Sequence, residues 1–226
     1  MNRGILLVTV LVTTACGTPP VDSRVVPPDA ITNFNVLYTE NCSGCHGVDG
    51  KGGAAIGIGD PVYLAIADDT VITRVTADGV AGTSMPAFAQ HSGGSLTDDQ
   101  IHAIVSGIRT RWAKPDALHG AVAPPYAGSG PGDPKHGADV YDADCSSCHN
   151  KKANSILDGS YLTLVSDQNL RTTLIVGRPE LGAPDWRGNA AGKPMSPEDV
   201  SDVVAWLASQ RPQLTGQAYS SSGETQ

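Results

Sequence analysis

Two stretches of the chain place apolar residues at the same spacing. Leu96, Ile101, Ile104, Val105 and Ile108 form one set, and Met195, Val200, Val203, Val204 and Leu207 form the other. Steps of three and four residues put each set on a single face of a helix, so a half-buried helix is expected at both places. Thr97 and Ser196 stand where an N-cap belongs, each with acids in the following turn, and Pro197 suits a first helical position. Shorter helix-like stretches occupy residues 31–41 and 138–144. Between these elements, residues 60–86 align with 158–184 at a constant offset of 98, without a gap. Asp60/Asp158, Tyr63/Tyr161, Leu64/Leu162, Asp69/Asp167, Gly79/Gly177 and Pro86/Pro184 are identical pairs. The chain is therefore a tandem repeat of mostly helical units of about eighty residues, a size that buries only a modest core by itself.

Each repeat carries the same short polar motif after its first helix-like stretch. Cys42-Ser43-Gly44-Cys45-His46 returns as Cys145-Ser146-Ser147-Cys148-His149. Thiols at i and i+3 lie on one face of a helical turn, where each can form a thioether to one haem vinyl. The adjacent imidazole then faces the iron as its proximal ligand. A single copy could also serve a redox dithiol or a zinc site. Two copies make covalent haem the better chemistry, and a disulfide framework would need no His after each pair. Each unit is thus expected to run helix, C-x-x-C-H, loop, short helix, loop, final helix.

The cysteine count is five, which leaves one beyond the two pairs. That one is Cys16, which follows Arg3, an apolar run over residues 4–12 and the small residues Thr13, Thr14 and Ala15. The run is too short to span a bilayer and has the order of an export signal. Its end resembles the lipobox of bacterial lipoproteins, which implies cleavage before Cys16 and lipid attachment to it. The expected organisation is a signal peptide over 1–15, a lipid-anchored tether over 16–28, one unit over 29–112 and a second over 133–211. Residues 113–132, with four Pro and four Gly, read as a linker, and 212–226 as a polar tail. The net charge of −8 argues against a nucleic-acid partner.

Both units resemble class I cytochrome c domains, each a mostly α fold wrapped around a covalent haem. Cys42 to Gly52 is similar to that family's attachment segment, and Thr83-Ser84-Met85-Pro86-Ala87-Phe88 to the segment supplying the sixth iron ligand. The resemblance implies two haem c groups. Cys42, Cys45, Cys145 and Cys148 would attach them, His46 and His149 would be proximal ligands, and Met85 the distal ligand in unit one. Unit two departs from the pattern, because Ala183 stands opposite Met85. Met195 could replace the missing ligand, the iron could stay open, or another group could bind it. Met195 aligns with Leu96, so packing at the helix start is its plain alternative. The other histidines, His91, His102, His119 and His136, suit surface or capping roles better than ligation.

The expected function is one-electron relay between a membrane complex or dehydrogenase and an oxidase or soluble carrier, on the outer side of a membrane. The rivals are a small dihaem oxidoreductase, peroxidase-like or sulfur-compound oxidising, with chemistry at haem 2, and a binding module, either a haem-based gas sensor or a haem subunit of a larger complex. Residues 29–112 carry a net charge of −5 and 133–211 a net −3, with Lys151 and Lys152 beside the second motif. A basic pair there could dock an acidic redox partner, and solvated loop lysines are the simpler reading.

Overall fold

The structure is a computed structural model, which describes residues 26–149, 156–188 and 192–212. The export segment, Cys16, most of the tether, Lys151, Lys152 and residues 213–226 lie outside the described residues. Unit one contains α1 (Phe34–Asn41), α2 (Ser43–His46), α3 (Pro61–Ile66), α4 (Asp69–Asp78) and α5 (Asp98–Trp112). Unit two repeats the order with α6 (Pro134–Asp144), α7 (Ser146–His149), α8 (Gly159–Leu164), α9 (Asp167–Val176) and α10 (Pro197–Ser209). Among the described residues no β-strand forms. Two isolated bridges, Ala89 with Leu96 and Arg178 with Ala183, occur instead.

The final helices start as their sequences imply. The Thr97 and Ser196 side chains each accept the backbone N–H three residues on, and Gln100 and Asp199 return the bond to the cap. These capping boxes fix both helix starts. The predicted faces are inward, with Ile101, Ile104, Val105 and Ile108 buried in α5 and Val200, Val203 and Leu207 in α10.

Three boundaries differ from expectation. Helix α1 begins at Phe34, because the Asn33 side chain accepts the Val36 N–H and sets the cap there, after a 3-10 turn at Pro28–Ala30. Helix α6 begins earlier than expected, at Pro134, because Asp133 caps it and proline occupies its first turn. The single short helix expected in each repeat is two helices. Ala67 is extended, and Asp68 then caps α4 through the Val71 N–H. Val165 and Ser166 make the same break between α8 and α9.

In each unit the first and last helices cross, α1 on α5 and α6 on α10. An arginine on or just beyond the last helix clamps the α3–α4 or α8–α9 break onto it. Arg109 donates to the Leu64 and Ala67 carbonyls and pairs with Asp69. Arg211 donates to Leu162 O at 3.0 Å and Val165 O at 2.9 Å, and pairs with Asp167 at 2.6 Å.

The two units share one continuous apolar core, with α3 against α9. Residues 113–132 form no helix, and several of their carbonyls are held by unit two. Buried Arg171 donates to Pro125 O at 2.9 Å and Tyr126 O at 3.1 Å, and its other arm to Ser201 Oγ at 3.1 Å. Gln168 also donates to Tyr126 O, and Arg187 to Leu118 O. Arg178 reaches from unit two to Gly53 O at 2.9 Å, just beyond the first motif.

Candidate functional site

The C-x-x-C-H residues form one short turn in both units. The His46 N–H donates to Cys42 O at 3.0 Å, and the His149 N–H to Cys145 O at 2.9 Å. This places both thiols and the imidazole of each motif on a single helical turn. Each turn is docked by a tyrosine from the preceding helix. Tyr38 Oη donates to Gly47 O at 2.7 Å, and Tyr141 Oη to His149 O at 3.4 Å. Both rings are buried. Tyr38 and Tyr141 each precede the first cysteine of their motif by four residues, a signal present in the sequence but overlooked there.

In unit one the imidazole is oriented. His46 is buried, and its Nδ1 lies 2.9 Å from the Ile56 carbonyl. Burial holds its pKa below the ordinary imidazole value, with the Ile56 contact acting the other way. The ring is therefore neutral at pH 7, with Nδ1 donating and the Nε2 lone pair available to a metal. In unit two His149 is only half-buried.

Cys42 and Cys145 are the more buried thiols of their pairs, and Cys45 and Cys148 are exposed. Burial first, then the neighbouring Cys45, pushes the Cys42 thiol up to about 11. Burial, then Asp144 and Cys148, does the same for Cys145. No disulfide links these four cysteines. Two free thiols and an imidazole on one turn are the donor set that covalent haem requires, so the residues present fit that group in each unit.

The loops that precede the final helices repeat in bonding as well as in sequence. Val80 N–H donates to Met85 O at 3.0 Å, and Arg178 N–H to Ala183 O at 2.9 Å. Gly79 and Gly177 have φ of +70° and +72°, and a Cβ on either would meet the backbone of Pro86 or Pro184 within 2.6 Å. Leu96 N–H donates to Phe88 O at 2.8 Å, and Met195 N–H to Trp186 O at 2.9 Å. Leu96 and Met195 are each 5% exposed. Ala183 thus occupies the place of Met85, and Met195 that of Leu96.

The other histidines sit at the surface, three of them beside carboxylates. His136 Nδ1 lies 2.7 Å from Asp202 Oδ2, and His91 lies between Asp78 and Asp98. His119 pairs with Asp116 beside a cavity of about 450 Å³ between the units, lined in part by Asp60, Val176 and Asp185. His102 lines a shallow groove next to α1. Tyr63 is buried in the core and Tyr161 only partly. Among the described residues, no helix is long and apolar enough to cross a membrane.

Two helical units, each with a C-x-x-C-H turn after its first helix, define a c-type cytochrome with two haem c domains. The family described as cytochrome C oxidase, cbb3-type, subunit III matches residues 29–106 and again 132–207, and the chain belongs to it. A curated relative, the Cbb3-type cytochrome c oxidase subunit CcoP of Azospirillum sp. (strain B510), is 30% identical over 139 residues. That match covers 57% of this chain and 42% of the relative, so the chain spans less than half of the relative's length. Among solved structures, the dihydro-heme d1 dehydrogenase NirN in complex with DHE is similar over 45% of this chain and 23% of that one, at 23% identity and a TM-score of 0.31. The Kuenenia stuttgartiensis reducing HAO-like protein complex Kustc0457/Kustc0458 is similar over 79% of this chain and 96% of that one, at 15% identity and a TM-score of 0.46.

Proposed function

We propose that the chain is a dihaem electron relay held at a membrane surface. The observation that carries this reading is the duplicated turn, in which paired thiols and an imidazole share one helical face. Cys42 and Cys45 would hold one haem and Cys145 and Cys148 the other, with His46 and His149 as proximal ligands. When bound, haem c supplies a one-electron iron couple.

The chain's own residues set how that couple behaves. The Ile56 carbonyl fixes the His46 ring and tautomer. Met85, in the loop secured by Gly79, supplies the thioether that would close the first iron. Methionine opposite histidine raises the reduction potential and favours electron transfer over ligand chemistry.

Membership of an oxidase-subunit family supports a respiratory oxidase complex as the redox partner. Lipid at Cys16 would tether the protein to the extracytoplasmic face. Labelled fatty acid that still enters a Cys16→Ser variant would remove the lipid assignment.

Spectroelectrochemical titration of the purified chain tests the relay. Two one-electron transitions are expected. Met85→His should lower one of them by a resolvable part of the roughly 0.8 V over which axial ligands move haem potentials. If neither transition moves, Met85 is not an iron ligand.

A further inference from the structure

The loop that closes the first site with Met85 is kept in unit two, and its ligand is missing. Backbone bonds on both sides of the position are conserved, from Arg178 to Ala183 and from Met195 to Trp186. The loop therefore has not re-threaded to bring Met195 forward. Met195 is buried at the start of α10 in the packing place of Leu96, and its backbone is held by Trp186. The Ala183 methyl ends two bonds short of where a methionine sulfur would stand, and it carries no donor. Between Ala183 and Met195 the sequence holds no histidine, cysteine or further methionine. His136, the other histidine of the unit, is engaged by Asp202 at the α6–α10 crossing.

We propose that an iron held at His149 keeps an open sixth position, which takes a small neutral diatomic ligand. This rests on the two-haem reading above. Ala183, Pro184 and Trp186 of this loop carry no side chain that ligates iron, and a ferrous haem with an open position takes small neutral ligands. The two units of one chain then divide the work. The first is closed for electron transfer, and the second responds to a dissolved gas.

The test uses the full-length holoprotein. Haem content per chain is counted first, and the reduced protein is then titrated with carbon monoxide and followed optically. Two haems per chain and saturation at one carbon monoxide per chain are expected. Met195→Leu should leave the uptake unchanged, while Ala183→Met should weaken it at least tenfold. A chain with one haem overturns the two-haem reading and this proposal with it. A two-haem chain that takes up no carbon monoxide overturns the proposal alone. So does a chain in which Met195→Leu must first be made before carbon monoxide binds.

Discussion

Phe34 lies in the notch left by Gly107. A Cβ on that glycine would stand 2.1 Å from the Phe34 ring. Unit two fills the same helix crossing with the sizes exchanged. Gly137 occupies the place of Phe34, and Trp206 the place of Gly107. A Cβ on Gly137 would stand 2.0 Å from the Asp202 carbonyl oxygen and 2.9 Å from Trp206 Cβ. The crossing needs one large and one small residue, and either helix can supply either.

Enlarging the small partner should overpack both crossings. Gly137→Ala meets backbone, which cannot rotate away, and should cost on the order of 1–3 kcal/mol in denaturant unfolding. Gly107→Ala meets a side chain instead. Its cost should fall when Phe34→Ala is added, giving a coupling in the double-mutant cycle. Strict additivity would show that the two residues do not share this crossing.

The arginine clamps make a second prediction. Arg109→Met leaves the Leu64 and Ala67 carbonyls without their donor and should destabilise unit one by about 1–3 kcal/mol. Arg109→Lys should recover only part of this, because one ammonium cannot fork to two carbonyls and a carboxylate. Full recovery by lysine in thermal melts would reduce the clamp to a simple charge contact.

The His136–Asp202 pair gives the stability a pH dependence. The hydrogen bond to Asp202 raises the His136 pKa above its ordinary value. The charges of Asp202, Asp199 and Glu198 act in the same direction, and partial desolvation acts against them. Asp133 and Lys135 lie beside it on its own segment, and the Asp133 N–H donates to the same carboxylate at 2.6 Å. Because the folded pKa lies above the unfolded one, the stabilisation is full below about pH 6.5 and is lost as pH rises through the folded value. The Tm gap between wild type and His136→Gln should therefore be widest near about pH 5.5 and shrink towards about pH 9. A gap that stays constant over this range would show that the charged imidazole contributes nothing.

Much of this architecture can be read directly from the residues. The two motifs, the 98-residue ladder and the capped final helices rest on local rules of spacing and capping, and the structure follows them closely. Helices α3 and α4 map onto α8 and α9 residue for residue. What escaped were relations set by packing between distant elements. Arg109 and Arg211 do the same work from positions one helical turn apart, so an ungapped alignment pairs neither with the other. The exchanged sizes of Phe34 and Gly137 look like divergence until the opposite helix is seen. The split of each middle helix at Ala67 or Val165 depends on the cap one residue later, a small signal inside a long apolar run. At the site itself, the repeat identified Ala183 as the odd residue. The place of Met195 became clear only from its backbone bond to Trp186.

The carbonyls of Pro125, Tyr126 and Leu118 are gripped by side chains of unit two, and Arg178 of the same unit grips Gly53 of unit one. A slack tether would let two redox centres wander, and exchange between them would be averaged over chance encounters. Anchored in this way, the centres proposed here would keep one separation set by the fold, and the traffic between them would not depend on the viscosity of the surroundings.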